Sequence, residues 1–414
     1  MKDVDVIVIG AGFSGLAACS VLRSSGMSVA VLEATGRVGG RARTSHRLQT
    51  PVEEGCCWLH QADTNPLRPI SEAHGIEYLP HDDAPFRLYE GGKRLPEDAE
   101  QCAEDSLEVL NRRIAGHTGE DLSLLALMSG ADWMERWALG VVAPLDGGAD
   151  PGFMSVAALR HESLTVPNLF VRQGFGHLAL MLGDGMPIHK STRVRRIDSR
   201  GHGVEVFTSK GALSASACII TVSTGVLAAE SIEFFPALPN DKLAAIEALP
   251  MGDYNKAFLR FHSPFPHLSP GEWASEADRA PDDYVHFLLH PFDPHVLLLQ
   301  AGGRLGRDLA LMNEKDGVAW ALERLASCFG SDAAPPTVEG FHTGWRVEPT
   351  FLGSYSYPRV GQAAAREVIG APIDGKLFFA GEATAGYLAQ TAGGAWLSGI
   401  RAANEAMGAI RRPK

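Results

Sequence analysis

The chain has 414 residues, of which 45% are hydrophobic and 21% are charged, and its formal net charge is -12. This length predicts roughly two or three hydrophobic cores, and the composition is typical of a globular protein rather than a disordered or fibrous one. The acidic charge argues against the basic face that nucleic-acid binding requires, so we expect no nucleic-acid partner.

The 6 cysteines are scattered along the chain, and only Cys56 and Cys57 are neighbours. Without CxxC spacing they predict buried thiols in a reducing compartment and no metal site. Asp3 and Asp5, rather than basic residues, precede the first apolar run, which argues against a signal peptide. No run of about 18 apolar residues follows, so we expect a cytoplasmic protein that does not bind a membrane.

The first predicted elements form a βαβ unit. Residues 4–9 are a short β-branched run, as in a parallel strand that is covered on both faces, and residues 28–33 resemble it. Residues 15–26 between them have the pattern of a helix.

Three glycines with the spacing GxGxxG separate the first strand from this helix. Gly10 permits a tight turn, Gly12 lets the backbone approach a pyrophosphate, and Gly15 lets the helix pack on the strand. Amides at the start of the helix would bind the anion. Glu33 closes the second strand, where a carboxylate accepts hydrogen bonds from ribose hydroxyls and repels a 2'-phosphate. The pattern indicates NAD or FAD rather than NADP.

The next stretch, TGRVGGRARTS, favours FAD over NAD. Gly39 and Gly40 allow a second close approach of the backbone, and Arg37, Arg41 and Arg43 offer cationic groups. A second, positively charged turn suits the flavin side of a long dinucleotide pyrophosphate.

Later elements alternate between two kinds of region. Strand patterns recur at 192–222 and 376–381, and a helix is predicted from about residue 391 to residue 410. Residues 96–140 are helix-like, and residues 253–300 have the pattern of antiparallel strands. We predict an α/β fold with a Rossmann-like FAD-binding domain built from discontinuous segments and an inserted α+β substrate domain. The predicted segments are 1–78, 171–245 and 371–414 for the FAD-binding domain, and 79–170 and 246–370 for the substrate domain.

Motifs at both ends of the chain resemble the flavin-dependent amine oxidases. The glycine motif, Glu33 and GRVGGR at 36–41 carry the N-terminal part of this resemblance. KLFFAGEAT at 376–384 and TAGGAWLSG at 391–399 are similar to the C-terminal FAD segment of that family. Two matching ends in the same order are more specific than one glycine motif, and they imply FAD as the cofactor.

Interior motifs resemble the polyamine oxidase branch of the family. These motifs are GCCWLH at 55–60, the Asn65-Pro66 pair, GDYNKAFLRF at 252–261 and LGSYSY at 352–357. With gaps, the resemblance extends over nearly the whole chain.

The resemblance implies roles in holding the cofactor. Glu33 would bind the adenosine ribose, Val194 the adenine through its backbone, and Arg41 the pyrophosphate or the ribityl region. Glu382 would lie on the ribityl side. The expected cofactor-binding residues are Gly10, Gly12, Ser14, Gly15, Glu33, Arg37, Gly40, Arg41, Val194, Trp345, Gly381, Glu382, Thr391 and Ala392.

The resemblance also implies catalytic and substrate residues. Lys256 matches the family lysine that holds a water near flavin N5, and His60 matches a histidine beside the substrate. A lone histidine next to Trp58 is equally compatible with a satisfied, partly buried side chain. Tyr355 offers an aromatic wall for an amine nitrogen, and Trp58 and Thr391 complete the expected substrate set. The helix that starts near Thr391 would point its positive end at the flavin.

Several positions depart from the family pattern. Ser354 stands where monoamine oxidases carry the cysteine that anchors the flavin, so we expect non-covalent FAD. The second tyrosine of the monoamine-oxidase cage falls on Thr391. Gln61, Ser223 and Gly393 replace a usual glycine, proline and histidine, which leaves the substrate open. The acidic residues considered for recognition of further ammonium groups are Asp63, Asp82, Asp83 and Glu162.

The expected reaction is hydride transfer from the carbon next to a primary or secondary amine to flavin N5. Hydrolysis of the imine gives an aldehyde and an amine, and O2 is reduced to H2O2. The reacting nitrogen must be neutral, so activity should rise with pH through the pKa of the amine.

Alternatives to this reaction remain open. A related flavin enzyme could act on another amine, an amino acid or a C–C desaturation substrate, and an amino-acid oxidase would need an arginine for the carboxylate. A flavin-bound interaction module resembling the chromatin demethylase relatives is the non-enzymatic alternative. The sequence makes no prediction of oligomeric state.

Overall fold

The computed structural model describes residues 2–82, 84–128, 132–162 and 164–411, so Asp83 lies outside the described residues. The strands, in chain order, are β1 (Val6–Ile9), β2 (Val29–Leu32), β3 (Thr44–Ser45), β4 (Val52–Glu53), β5 (Trp58–Leu59), β6 (Tyr78–Pro80), β7 (Phe86–Glu90), β8 (Lys93–Arg94), β9 (Leu169–Val171), β10 (Ile188–His189), β11 (Val194–Asp198), β12 (Val204–Thr208), β13 (Gly211–Ala215), β14 (Ala217–Ile220), β15 (Glu233–Phe235), β16 (Tyr254–Phe261), β17 (Trp273–Glu276), β18 (Val285–Leu289), β19 (Val296–Gly302), β20 (Thr337–His342) and β21 (Leu377–Phe379).

The helices lie between these strands and at the C-terminal end of the described chain. They are α1 (Phe13–Ser24), α2 (Leu67–Ala73), α3 (Glu97–Gly116), α4 (Leu124–Leu127), α5 (Trp133–Gly140), α6 (Val156–Glu162), α7 (Phe175–Gly183), α8 (Thr224–Ala228), α9 (Asn240–Ala248), α10 (Gly303–Leu311), α11 (Glu314–Phe329), α12 (Ala365–Gly370) and α13 (Ala392–Arg411). A π-helical segment at Val141–Gly147 continues α5, and a short 3-10 turn occupies Glu382–Thr384.

The first sheet has the strand order β10-β2-β1-β14-β21, and all of its strands pair in parallel. Every residue of β1, β2, β14 and β21 is buried. Continuous apolar runs form such strands because helices cover both faces of a parallel sheet. The predicted α/β fold and its N-terminal βαβ unit are confirmed, and the strands come from the beginning, middle and end of the chain.

Helices α1 and α13 pack against each other on one face of this sheet. Gly399 of α13 lies so close to α1 that a Cβ added there would stand 2.1 Å from the carbonyl oxygen of Ser14. The hydroxyl oxygens of Ser14 and Ser398 lie 3.4 Å apart at the same contact. The first turn of α1 is therefore held by the helix nearest the C-terminus.

The second large sheet has the order β20-β16-β19-β18-β17-β7-β8. Its pairs are antiparallel except for β17 and β7, which run parallel. The antiparallel strands predicted over residues 253–300 are present. Helices α3, α5 and α6 and the π-helical segment share a separate apolar core beside this sheet.

The middle strand block divides between two sheets. Strand β14 enters the first sheet between β1 and β21, whereas β11, β12, β13 and β15 form a separate four-stranded sheet. Of this block, therefore, only β14 extends the first sheet. The physical reason is burial: β12 and β13 each leave one face partly open, while β14 is apolar on both faces. The domain boundaries themselves stay a prediction.

All 6 cysteines are free, and Cys102 is exposed, so the expectation of buried thiols is wrong for that residue. Within the described ranges, no helix is both long and apolar enough to cross a membrane. The same residues contain no group of three or more His, Cys, Asp and Glu side chains arranged to hold a metal ion.

Candidate active site

One cavity of about 810 Å³ runs between the first sheet and the seven-stranded sheet. It begins at the carboxyl ends of β1 and β2, where open parallel sheets bind nucleotides, and continues to β16 and the π-helical segment. We call its two parts the sheet end and the inner chamber. The sheet end is defined by Gly10, Gly12, Glu33, Arg41 and Val194, and the inner chamber by Trp58, His60, Asp146, Tyr254 and Lys256.

At the sheet end, two glycine turns meet backbone to backbone. Gly12 and Gly39 form a parallel bridge. A Cβ added to Gly40, whose φ is +61°, would lie 3.3 Å from the Cα of Gly12. Helix α1 begins directly after Gly12 without an acidic side chain in its first turn, so its positive end adjoins the cavity at Phe13 and Ser14. Bare backbone beside helix amides forms a cradle that fits an anionic group.

Glu33 stands at the end of β2 and is 8% exposed. One carboxylate oxygen accepts a hydrogen bond from the Ala11 amide at 2.8 Å. The other accepts from the amide and the hydroxyl of Thr35 at 2.8 and 2.7 Å. A carboxylate has about four acceptor positions, so these bonds fix its orientation and leave capacity for a ligand hydroxyl. This geometry suits the ribose role, which stays a prediction.

Val194 and Trp345 are two further expected cofactor residues that line the cavity. Val194 is the first residue of β11, and the amide of Thr192 just before it donates to the carbonyl of Glu33 at 2.8 Å. Trp345 is 2% exposed, and its indole Nε1 donates to the carbonyl of Glu54 at 3.3 Å. The backbone leading to Val194 and the indole of Trp345 are therefore both held by residues near the site.

Arg41 connects the N-terminal turn to the C-terminal motif. Its Nη1 donates to Glu382 Oε1 at 3.0 Å and to the carbonyl of Ser354 at 2.6 Å. Glu382 also accepts from the amide and the hydroxyl of Ser356 at 3.2 and 2.8 Å. The two residues predicted for the middle of the cofactor thus form one hydrogen-bonded, charge-compensated unit on the cavity wall.

The C-terminal motif forms another part of the wall. Helix α13 begins at Ala392, and the Thr391 hydroxyl caps it by accepting from the Gly394 amide at 3.0 Å. The same hydroxyl donates to the carbonyl of Leu388 at 2.8 Å. Thr391, Ala392 and Gly381 all line the cavity, so the positive end of α13 adjoins it as expected.

Two of the expected cofactor residues lie behind the wall within the described part of the chain. Gly15 packs on the turn, where an added Cβ would stand 1.9 Å from the carbonyl oxygen of Gly10. Arg37 donates to the carbonyls of Val38 and Ala42 at 3.3 and 3.5 Å. The structure therefore places both as supports of the glycine turns, and their direct contact with a cofactor stays a prediction.

Lys256 lies in β16, lines the cavity and is 1% exposed, so it is no surface lysine. Its Nζ donates to the carbonyl oxygens of Glu53 and Gly55 at 3.1 and 2.6 Å. It also contacts Cys57 Sγ at 2.6 Å. These contacts hold a buried ammonium group at the inner chamber.

His60 is the end of a hydrogen-bonded chain that reaches the surface. Its Nδ1 lies 2.8 Å from Asn168 Oδ1, and Asn168 Nδ2 donates to Asp82 at 2.9 Å. Because this amide nitrogen is the donor to Asp82, the amide oxygen must accept, so His60 is protonated on Nδ1 and has a lone pair on Nε2. Burial lowers the pKa of His60, which favours this neutral form.

Trp58 belongs to a stack of aromatic rings on the chamber wall. It stacks on Trp273 with centroids 5.7 Å apart, and Trp273 stacks on Phe86 at 5.4 Å. The Trp58 Nε1 donates to His81 Nδ1 at 3.2 Å. All four side chains line the cavity and offer it apolar and cation-binding faces.

Tyr355 is paired with a second tyrosine that sequence reasoning missed. The ring centroids of Tyr355 and Tyr254 lie 5.8 Å apart with planes at 37°. The Tyr355 hydroxyl donates to the Asp146 carbonyl at 3.2 Å, and the Tyr254 hydroxyl donates to Gln300 Oε1. Tyr254 lies two residues before Lys256, hence on the same face of the strand, and this spacing could have identified it.

Asp146 is the second residue that sequence reasoning missed. It lies in the π-helical segment and lines the cavity. Its side chain has a large exposed area, but the space that it faces is the interior cavity rather than bulk water. Burial accordingly raises the pKa of Asp146 to about 7. No sequence signal marks a carboxylate in an irregular helical turn.

Two acidic residues considered for ammonium recognition are already paired. Glu162 lines the cavity, but its two oxygens accept from Arg366 at 2.5 and 2.8 Å. Asp63 is exposed and pairs with Arg68 at 2.7 Å. A carboxylate bound to arginine offers little attraction to another cation, so neither supplies an open anionic site.

The departures from the family pattern have local structural reasons. Gln61 has a φ of +48°, a left-handed conformation that glycine adopts without strain. Ser223 caps α8, and its hydroxyl accepts from the amide of Val226 at 3.2 Å. A Cβ added to Gly393 would stand 2.7 Å from Asn65 Oδ1, so that amide fills the space beside it.

The fold and the cavity together define a dinucleotide-binding protein in which a cofactor and a small molecule meet in one enclosed site. The glycine cradle, the oriented carboxylate of Glu33 and the start of α13 fit the phosphates, the ribose and the electron-rich ring of FAD.

Comparison with known proteins identifies the family. A family model described as flavin containing amine oxidoreductase matches residues 13–142 and 154–407. Polyamine oxidase 2 of Arabidopsis thaliana is 31% identical over 442 residues, which cover 98% of this chain and 88% of that protein. Polyamine oxidase 4 of Oryza sativa subsp. japonica is 30% identical over 434 residues, with 97% and 88% covered. Cyclohexylamine oxidase from Brevibacterium oxydans has the same fold, with a TM-score of 0.82 at 24% identity and 99% and 100% covered.

The chain belongs to the flavin-containing amine oxidoreductases, and the expected resemblance to polyamine oxidases is confirmed. It is an FAD-dependent enzyme that oxidises amines.

Proposed function

We propose that the protein is a polyamine oxidase-like enzyme that oxidises the C–N bond of a primary or secondary amine carrying one further ammonium group. The imine is hydrolysed to an aldehyde and an amine, and O2 is reduced to H2O2. When bound, FAD supplies the acceptor for the hydride. The proposal assigns the remaining tasks to residues of this chain.

The observation that carries this proposal is the carboxylate of Asp146 in the inner chamber. Among the described residues of the cavity wall, Glu162 and Glu382 pair with arginine and Glu33 lies at the sheet end, whereas Asp146 faces open space. A carboxylate removed from bulk water attracts a cation strongly, and binding an ammonium group would favour its ionised form. One such group suits a substrate with one ammonium besides the reacting amine.

We assign His60 to the reacting nitrogen or its neighbour. The chain through Asn168 to Asp82 leaves Nε2 of His60 as an acceptor, so it can take a hydrogen bond from an amine N–H. Asn168 and Asp82 are then positioning residues. This arrangement favours the functional interpretation of His60 over that of a merely satisfied histidine.

We assign Lys256 to electrostatic stabilisation beside the cofactor, and Tyr355, Tyr254 and Trp58 to the aromatic walls around the amine. A buried ammonium stabilises negative charge that develops nearby. Aromatic faces hold an alkylammonium by cation–π attraction, yet they also accept the neutral amine that must react.

We assign the sheet end to the cofactor as the family resemblance implies. Glu33 would hold the adenosine ribose, Val194 the adenine, and Arg41 with Glu382 the region between pyrophosphate and flavin. With Ser354 at the anchoring position, FAD would be bound without a covalent bond. Thr391 and Ala392 would direct the positive end of α13 at the flavin.

The amino-acid alternative has less support. Arg160 lies on the cavity wall near α3, but its Nη1 donates to the His117 carbonyl at 2.7 Å and its Nη2 lies 3.2 Å from His161 Nε2. An arginine engaged in this way is not poised to clamp a carboxylate with both arms of its fork.

We further propose a cytoplasmic location, which the 6 free cysteines support because thiols stay reduced in that compartment.

Anaerobic mixing of the FAD-loaded protein with candidate substrates tests the function. The panel is putrescine, spermine, N-acetylspermidine, tyramine and several L-amino acids, and the measurement is bleaching of the flavin absorbance. We expect bleaching by amines with a further ammonium group at lower concentration than by tyramine. Bleaching by amino acids and by no other compound of the panel would contradict the proposal. In air, peroxide formed in proportion to O2 consumed would support the oxidase step, and turnover that requires another acceptor would overturn it.

A further inference from the structure

Arg366 lies behind the cavity wall, between two carboxylates that line the cavity. It belongs to α12 and is 5% exposed. Its Nε and Nη2 donate to the two oxygens of Glu162 at 2.5 and 2.8 Å. Its Nη1 donates to the Ser356 hydroxyl at 2.8 Å, and that hydroxyl donates to Glu382 Oε2 at 2.8 Å. One buried arginine thus joins Glu162 to Glu382.

Every N–H of Arg366 has an acceptor. A guanidinium carries five N–H donors and no acceptor. Besides the bonds to Glu162 and to the Ser356 hydroxyl, Nη2 donates to the Ser356 carbonyl at 3.0 Å and Nη1 to the Ala383 carbonyl at 3.4 Å. The planar fork is therefore held at both ends, and a lysine, with its single ammonium group, cannot reproduce this arrangement.

Arg366 determines which way the Ser356 hydroxyl points. Because an arginine can only donate, the hydroxyl oxygen accepts from Arg366 and the hydroxyl hydrogen goes to Glu382. Ser356 is 0% exposed, so bulk water does not compete for this hydrogen. The Ser356 amide donates to Glu382 Oε1 at 3.2 Å, so one serine binds both carboxylate oxygens. Arg366 thereby fixes a hydrogen bond in which it takes no direct part.

Glu382 has one acceptor position left for a ligand. A carboxylate has about four acceptor positions. Oε1 accepts from Arg41 at 3.0 Å and from the Ser356 amide, whereas Oε2 accepts from the Ser356 hydroxyl alone among the residues that the structure describes. Because Glu382 lines the cavity, the remaining position of Oε2 can accept from a hydroxyl group there.

We propose that Arg366 is a positioning residue for the cofactor. By fixing the Ser356 hydroxyl as a donor to Glu382, it holds the open oxygen of Glu382 toward a hydroxyl on the ribityl side of FAD. Glu162 compensates the charge of the buried guanidinium, so that Arg366 can lie behind a wall that already contains Arg41. The inference rests on the proposed role of Glu382 and does not depend on which amine is the substrate.

Titration of the FAD-free protein with FAD, followed by flavin fluorescence, tests this role. The variants are Arg366→Lys, Ser356→Ala and the two combined. Lysine keeps a charge beside Glu162 but cannot also hold the hydroxyl, so we expect the dissociation constant of FAD to rise about tenfold in each single variant. Because both substitutions remove the same bond, the double variant should bind FAD no more weakly than either single variant. An unchanged constant in Arg366→Lys, or single effects that multiply to about a hundredfold, would overturn the proposal.

ADP distinguishes an effect on the ribityl side from a general loosening of the site. It shares the adenosine and the pyrophosphate of FAD but has no ribityl chain, so calorimetric titration should give the same dissociation constant in wild type and Arg366→Lys. Equal weakening of ADP and FAD would overturn the proposal.

Arg401→Lys is the matched control for an arginine replaced near the C-terminal motif. Arg401 donates to the carbonyls of Gly370 and Phe379 at 3.1 and 2.7 Å, and none of its bonds in the described chain goes to Glu382. This variant should bind FAD as the wild type does. A tenfold weakening here would mean that FAD affinity responds to any such substitution, which would contradict a specific role of Arg366.

Glu382→Gln separates a failure of this inference from a failure of the proposed cofactor assignment. We expect it to weaken FAD binding at least as much as Arg366→Lys does. A normal dissociation constant in Glu382→Gln would refute the assignment of Glu382, and with it this role of Arg366. Weak binding in Glu382→Gln together with normal binding in Arg366→Lys would overturn the role of Arg366 alone.

Discussion

The sheet end and the inner chamber are built from different materials. At the sheet end, the cavity wall is mostly backbone: glycine turns meet at Gly12 and Gly40, and two helices begin at the cavity. In the inner chamber, the wall is mostly side chains: Asp146, Lys256 and a set of aromatic rings converge from separate elements. The shape of the sheet end depends on the path of the backbone, whereas the chemistry of the inner chamber depends on the identity of its side chains.

This difference separates cofactor binding from substrate choice. A site formed mostly by backbone, with a few fixed side chains such as Glu33, tolerates few changes of conformation, so it can bind the same cofactor in proteins with different substrates. A side-chain site can be altered one residue at a time. Substitutions at the sheet end should therefore affect FAD retention, and substitutions in the inner chamber should affect specificity with FAD still bound.

The largest effect is expected for Glu33→Ala. The substitution removes a charged acceptor for ribose and leaves the Ala11 amide without its carboxylate partner. Two charge-assisted hydrogen bonds correspond to about a thousandfold in the dissociation constant of FAD. Titration of the FAD-free protein by flavin fluorescence measures it. Retention of the full yellow colour after dialysis would show that Glu33 does not bind the cofactor.

The second-largest effect is expected in the inner chamber, for Asp146→Asn. Loss of the charge should lower kcat/KM for a diamine about a hundredfold and leave kcat/KM for a monoamine of equal length nearly unchanged. In the wild type, KM for the diamine should rise as pH falls below about 7, because protonation of Asp146 removes the charge that attracts the ammonium. Steady-state kinetics with both amines measure this split. Equal losses for the two amines would place Asp146 outside substrate recognition.

Gly399 and Gly408 of α13 provide a matched test of how the helix contact at the sheet end contributes to stability. Gly399→Ala should push α13 away from Ser14, which costs about 1–3 kcal/mol of unfolding free energy and weakens FAD retention. Gly408 lies on the same helix with open space around it, so Gly408→Ala should stabilise by about 1 kcal/mol through helix propensity. Denaturant titrations of the two variants measure the difference. Equal changes would mean that the contact between α1 and α13 is not tight.

The smallest effect is expected for Gln61→Gly. The substitution relieves a left-handed backbone and removes an amide oxygen that is buried without a partner in the described chain. The greater freedom of glycine in the unfolded chain offsets part of the gain, so the unfolding free energy should rise by about 0.5–1 kcal/mol. Thermal unfolding measures it, and a lower midpoint would mean that the glutamine side chain makes a compensating contact.

The contrast also explains what the sequence could predict. The βαβ unit and the C-terminal helix were predictable because strand length, glycine spacing and helical periodicity are local properties. The cofactor end follows from the same local patterns, and Glu33 lies at the strand end where its spacing placed it. The separate sheet formed by β11, β12, β13 and β15 was not predicted, since the partner of a strand depends on distant segments.

The inner chamber was less predictable for a physical reason. Lys256, His60 and Tyr355 were found through family motifs, but Asp146 lies in an irregular helical turn that has no sequence signature. Glu162 was considered for ammonium recognition, but its carboxylate pairs with Arg366, which is far away in the chain, so nothing in the sequence indicated this pairing. Whether a carboxylate is open or neutralised is a property of tertiary packing and cannot be read from composition.

The strand order of the first sheet has a consequence for how the enzyme acquires its cofactor. Strand β1 is synthesised long before its neighbour β14 and the edge strand β21, and α13 follows all three. Because α1 is held by α13, the glycine turn at the start of α1 gains its full support only after α13 has been synthesised. We therefore expect the sheet to stay unfinished in the nascent chain until α13 has emerged, and FAD to bind only after that point.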